Sequence, residues 1–188
     1  QALGISRPER HAGTPMETAM TEHIIVDDKD AVRVIAMNRP EKKNALTNAM
    51  YDVMARAITS AQGDDTIRCL MITGTRDAFC AGNDLRDFAE VGSGAKQDGQ
   101  TAASRFVHAL LNNAKPLVAA VEGVAIGIGT TLILHCDYVV AGAGARFATP
   151  FVSLGLVPEG GSSVLMPAAI GYQRAFATLE RNFFARKD

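Results

Sequence analysis

The 188-residue sequence predicts an α/β fold. Three observations carry this. Short β-rich runs alternate with segments whose apolar residues recur at the helical period. The central strands read as continuously apolar runs, as buried strands do. Two strand-turn-helix units, around residues 69–85 and 117–135, are built alike, each with an apolar strand, a glycine turn and a helix start.

In chain order, Ile24-Ile25-Val26 and Val32–Met37 are two β-rich runs, and the Asp27-Asp28-Lys29-Asp30 between them predicts a hairpin. Residues 39–44 form a loop. Thr47 caps a helix that places Met50, Val53, Met54, Ala57, Ile58 and Ala61 on one face, and Gly63-Asp64-Asp65 ends it. Cys69–Thr73 is an apolar strand closed by Gly74. A turn over residues 78–85 and a glycine-rich loop at 92–99 follow. A second amphipathic helix puts Ala103, Phe106, Val107, Leu110, Leu111 and Ala114 on one face. Pro116 opens the strand Leu117–Val121, and residues 123–129 turn into a third helix running to about His135. Tyr138–Ala141 is a further strand. Residues 147–156 hold short extended pieces, and Ser162 or Ser163 caps a final helix.

Composition narrows the function classes. The net charge is −1, from 19 basic and 20 acidic residues without a block of one sign, which argues against nucleic acid as the partner. No apolar stretch is long enough to predict a membrane span, and the first twenty residues lack the apolar segment of a signal peptide. Cys69, Cys80 and Cys136 are odd in number and widely spaced, so they read as free thiols in a reducing compartment. His11, His23, His108 and His135 are scattered, and no metal site is expected. Residues 1–22 are polar and aperiodic, and read as a flexible tail or vector-derived residues ahead of a core at 23–188.

Three segments have the residues for chemistry. In Phe79-Cys80-Ala81-Gly82-Asn83-Asp84-Leu85, small residues after a buried strand let backbone approach a ligand, and Asp84 can hold the loop. Taken alone, a plain strand-to-helix turn explains it better. In residues 123–131, backbone N–H groups at a helix start form an anion site. A dinucleotide fingerprint fails there, because Leu132 stands where the third glycine belongs. Residues 148–163 contain Glu159, the only carboxylate between Asp137 and Glu180. Poor solvation among apolar and glycine residues would raise its pKa toward that of a useful base. A first-turn acid complementing a helix dipole explains it equally well.

Together these segments resemble the crotonase (enoyl-CoA hydratase/isomerase) superfamily, from about His23 to Tyr172. Asn38-Arg39-Pro40 with Asn44-Ala45-Leu46 is similar to that family's opening coenzyme A loop. Ala81-Gly82-Asn83-Asp84-Leu85 is similar to its first oxyanion segment, and residues 123–129 with Cys136-Asp137 to its second. The resemblance implies a crotonase-type spiral of ββα units, assembled as a homotrimer or a dimer of trimers. It implies an acyl-CoA thioester as ligand, with no cofactor beyond the coenzyme A of the substrate, and a cytoplasmic enzyme of fatty-acid metabolism. The backbone N–H groups of Asn83 and Ile128 would bind the thioester oxygen. Ala45, Ala81, Gly82, Asp84, Leu85 and Gly127 would line the substrate site. Relative to that family the C-terminal region is shortened or partly missing, and residues 180–185 look like its last helix.

The reaction follows from three positions. The family's hydratases use two glutamates where this chain has Thr131 and Phe151, neither of which serves as acid or base near neutral pH. Thr149-Pro150-Phe151 with residues 158–163 resembles the peroxisomal-type Δ3,Δ2-enoyl-CoA isomerases, in which the glutamate at the Glu159 position is the single base. The runner-up is an enoyl-CoA hydratase using Glu159 and an ordered water. A third possibility is a paralogue that binds acyl-CoA without turnover.

Overall fold

A computed structural model of the chain describes residues 22–87 and 100–179. The tail at 1–21, the glycine-rich loop at 92–99 and the segment 180–188 lie outside the described residues.

Strands β1 (Ile24–Lys29) and β2 (Val32–Met37) pair antiparallel, from Ile24↔Met37 to Lys29↔Val32. The hairpin is tighter than the charge run implies. Asp27, Asp28 and Lys29 belong to the strand, and the turn is Asp30-Ala31, at φ 50° and 65°. A two-residue turn with both residues left-handed matches the twist of the paired strands. The acids stay in the strand because β1 is a sheet edge that charge keeps in solvent. Asp28 also accepts the Arg33 guanidinium, at 2.7 Å.

Helix α1 (Asn48–Gln62) starts where Thr47 Oγ1 accepts the Met50 N–H at 3.3 Å. The apolar face expected from Met50, Val53, Met54, Ala57, Ile58 and Ala61 is buried throughout. Then come β3 (Cys69–Thr73), β4 (Ala78–Cys80), α2 (Ala102–Leu111), β5 (Leu117–Val121), β6 (Val124–Ile126) and α3 (Ile128–Thr131). A 3-10 turn, Leu132–His135, extends α3. Strands β7 (Tyr138–Ala141) and β8 (Arg146–Ala148), a 3-10 turn Val152–Leu154, α4 (Ser162–Ile170) and α5 (Tyr172–Leu179) complete the described chain.

The strands divide between a five-stranded sheet, β1-β2-β3-β5-β7, and a three-stranded sheet, β4-β6-β8. Beyond the hairpin every pairing is parallel. In each of the pairs β3/β4, β5/β6 and β7/β8, the first strand joins the large sheet and the second the small one. Each strand pair leads into a helix, so the chain advances as a spiral of ββα units. The core lies where Ile35, Leu70, Ile72 and Leu117 of the large sheet meet Met50, Met54 and Ile58 of α1 and Phe106 of α2.

Three expectations change. On α2 the buried residues are Ala102, Phe106, Ala109 and Leu110; Leu111 is 62% exposed and Ala114 lies past the helix end. Val107 faces a cleft, and Ala103 lines the same cleft while packing against the edge of the core. Residues 147–156 contain one short strand end and a 3-10 turn rather than a run of extended pieces. Neither Ser162 nor Ser163 caps α4. Gly160 and Gly161, at φ 62° and 74°, bend the chain into the helix, and Ser162 becomes its first residue. Side-chain caps act from extended backbone, which this left-handed pair replaces.

Candidate functional site

The small sheet places the two donor turns side by side. Strands β4 and β6 pair in parallel at Ala78↔Val124 and Cys80↔Ala125, with an irregularity between. Asn83 lies three residues past Cys80, and Ile128 three residues past Ala125. The start of α3 rests directly on the end of β4. A Cβ on Gly129 would fall 2.5 Å from the Cys80 carbonyl oxygen, so only glycine permits this approach.

Local geometry leaves the N–H groups of Asn83 and Ile128 outside the backbone pairing around them. The Leu46 N–H donates to the Gly82 carbonyl and the Asp84 N–H to the Leu46 carbonyl, both at 2.8 Å, as a parallel bridge Leu46↔Asn83. In such a bridge the bonds to Leu46 come from the residues flanking Asn83, so the Asn83 N–H points to the other side. Ile128 opens α3, where N–H groups have no intrahelical acceptor. Both residues line one cleft of about 380 Å³.

The loop before α1 braces the first turn. Asn44 is fully buried at φ 57°. Its Nδ2 donates to the Ala78 carbonyl at 2.7 Å, and its Oδ1 accepts the Arg39 N–H at 2.7 Å. Arg39 Nη1 in turn donates to the Ala45 carbonyl and to Asp84 Oδ2. Ala45 thus belongs to the brace and does not line the cleft. Asp84 holds its loop by accepting the Arg86 N–H at 3.0 Å. The hydrogen bond from Arg39, then that N–H, hold its carboxyl below the usual carboxylate range.

Ala81, Gly82, Leu85 and Gly127 line the cleft with Asn83 and Ile128. Opposite them stand Val107 and His108 of α2, then Phe151, Leu154 and Leu156. Glu159 is the sole carboxylate among the described residues lining the cleft. It does not sit in the poorly solvated setting that its apolar neighbours in sequence implied. Glu159 is exposed, and it stands directly before the left-handed Gly160-Gly161 pair. Behind it, the buried Thr131 presses on Gly160, whose added Cβ would lie 2.8 Å from Thr131 Oγ1. His135 Nε2 bonds the Gly160 carbonyl at 2.8 Å and steadies the same bend.

Tyr51 of α1 was not singled out by sequence. It is 3% exposed, lines the cleft, and its hydroxyl donates to Asn83 Oδ1. Burial, then the neighbouring Cys80 and Glu159, push its phenol well above the ordinary range. The available signal was a tyrosine in the apolar face of a helix, since a buried hydroxyl requires a partner. Cys80 is fully buried, and burial pushes its thiol up to about 12, which disfavours the reactive thiolate. Asp137 is structural: its carboxylate accepts the Leu117 N–H and its own N–H returns to the Leu117 carbonyl, both at 2.8 Å. Among the described residues, no group of three His, Cys, Asp or Glu is placed to hold a metal ion, and no helix is long and apolar enough to cross a membrane.

Known proteins resemble this chain in sequence and fold. The chain is 38% identical over 160 residues to the 1,2-epoxyphenylacetyl-CoA isomerase of Escherichia coli (strain K12), covering 83% of this chain and 61% of that protein. It is 36% identical over 167 residues to enoyl-CoA delta isomerase 2 of Homo sapiens, covering 87% and 42%. The crystal structure of an enoyl-CoA hydratase/isomerase from Pseudoalteromonas atlantica T6c superposes with a TM-score of 0.78 at 40% identity, covering 85% of this chain and 62% of that one. The chain thus spans less than two thirds of each of these proteins. Residues 27–180 match the family model described as enoyl-CoA hydratase/isomerase. With the paired sheets of ββα units and the two donor turns in register, the chain belongs to the enoyl-CoA hydratase/isomerase family and has the crotonase fold.

Proposed function

We propose that the chain binds an acyl-CoA thioester and moves the double bond of a 3-enoyl-CoA to the 2-position. The thioester oxygen accepts the Asn83 and Ile128 N–H groups. Glu159 removes a proton from C2, and the electrons pass into the thioester as an enolate. The enolate re-forms a C2–C3 double bond as C4 takes the proton back from Glu159. Atoms and charge balance without a second acid or a cofactor beyond the coenzyme A of the substrate. Each donor contributes on the order of 3 kcal/mol, because it meets charge that develops only in the transition state.

One observation carries the choice of reaction. Glu159 is the lone carboxylate among the described cleft residues, and Thr131 and Phe151, which the family resemblance sets at the hydratase glutamate positions, line the same cleft. Hydration of 2-enoyl-CoA is the second reading. The exposure of Glu159 favours it, since water reaches that carboxylate directly. The same proposal includes a homotrimer, or a pair of trimers, working in the cytoplasm. Exposed Tyr138, Val140, Val164 and Tyr172 supply apolar surface for such contacts.

The test supplies 3-enoyl-CoA and 2-enoyl-CoA separately and follows absorbance of the conjugated thioester. The expected result is a rapid rise from the first and a slow loss from the second. Fast loss from 2-enoyl-CoA establishes hydration instead. Acyl-CoA binding without turnover of either establishes a binding-only protein.

A further inference from the structure

Asn83 is held from two sides. Its backbone pairs with Leu46, and its side-chain Oδ1 accepts the Tyr51 hydroxyl. The tyrosine itself is firmly placed. Its N–H donates to the Thr47 carbonyl at 3.0 Å in the first turn of α1. Its ring packs on Phe106 of α2, with centroids 5.6 Å apart at 46°. A helix in the core thereby reaches the turn that carries one oxyanion donor.

We infer that Tyr51 is a positioning residue of the oxyanion hole, its hydroxyl fixing Asn83 so that the Asn83 N–H stays aimed as negative charge grows on the thioester oxygen. This role rests on the proposed enolate chemistry. Tyr51 acts through Asn83 and not on the reacting atoms. Without the hydroxyl, the turn keeps its backbone pairing and the Arg39–Asp84 pair but loses the tie on the Asn83 side chain itself, and a donor that shifts loses strength most when charge is fully developed. Because burial favours the neutral phenol, the hydroxyl remains a donor to Oδ1 across the working pH range.

Tyr51→Phe keeps the ring on Phe106 and deletes only the hydroxyl. The expected result is a fall in kcat of ten- to a hundredfold, the scale of a small misplacement, with KM changed by less than about twofold. Binding of acetoacetyl-CoA provides a reading independent of turnover, because its enolate absorbs in the near ultraviolet. The enolised fraction of bound acetoacetyl-CoA should drop in Tyr51→Phe while butyryl-CoA binds as before. In an Asn83→Ala background, which keeps the backbone N–H, Tyr51→Phe should cause no further loss. Unchanged kcat and enolised fraction overturn the positioning role. Losses that simply add to those of Asn83→Ala, or that track a lowered melting temperature, overturn it as well. A wild type that binds acyl-CoA but neither enolises acetoacetyl-CoA nor turns over an enoyl-CoA overturns the proposed function, and this role with it.

Discussion

Arg39 Nη1 donates to Asp84 Oδ2 at 2.7 Å, across 45 residues of sequence, and both side chains are largely shielded from solvent. This pair ties the loop before α1 to the turn carrying Asn83. Since the Asp84 carboxyl is held below its unfolded value, its contribution is fully present above that value, about 3.9, and disappears as pH falls through the lowered one. Thermal melting of wild type and Asp84→Asn should therefore show a constant gap above about pH 4 that narrows at lower pH. A gap independent of pH down to the acid limb would contradict the pairing.

Glu159→Gln keeps the size of the side chain and removes the base. Isomerisation of 3-enoyl-CoA should fall at least roughly a hundredfold, with acyl-CoA affinity nearly intact. Steady-state kinetics and calorimetric titration check the two halves. Activity close to wild type would falsify the single-base mechanism.

Ile128 is the first residue of α3, a position where proline is well tolerated. Ile128→Pro therefore deletes one oxyanion donor at small cost to folding. Turnover should fall roughly a hundred- to a thousandfold, the scale of one lost donor. Circular dichroism should remain that of wild type, with a modest fall in melting temperature because Ile128 packs partly against the core. A folded variant with full turnover would remove Ile128 from the oxyanion hole.

Gly129→Ala puts a methyl carbon 2.5 Å from the Cys80 carbonyl oxygen and 2.8 Å from the Cys80 Cβ. Backbone at the end of β4 or the start of α3 has to move. We expect about 1–3 kcal/mol of lost stability in urea denaturation, accompanied by lost turnover. Wild-type stability would show that the two turns are packed more loosely than the structure has them.

Much of the fold was legible because local rules and the tertiary structure agree. The α1 face and the Thr47 cap follow from one period and one side chain. The small sheet was not legible, since β4, β6 and β8 have three residues each, too few for a pattern. On α2, an apolar stripe facing a ligand cleft reads like one facing the core, so Val107 and Phe106 were assigned to one surface. The resemblance to the family, and not any local pattern, points to Asn83 and Ile128, and both line one cleft. The exposure of Glu159 was not legible, since apolar neighbours in sequence do not reveal how the chain bends at Gly160 and Gly161. Tyr51 stayed hidden because its partner lies 32 residues away.

The pairing of Cys80 with Ala125 makes the distance between the two proposed oxyanion donors, Asn83 and Ile128, a matter of counting. Each donor stands the same number of residues beyond a matched pair of strand positions. Removing one residue from either turn would slide one donor by about 3.3 Å, more than the length of a hydrogen bond. Exchanging side chains at 131, 151 or 159 leaves that gauge untouched. The scaffold is therefore intolerant of changes in chain length at its anion grip, yet permissive toward new acids and bases around it, and altered chemistry should be reached by substitution rather than by insertion.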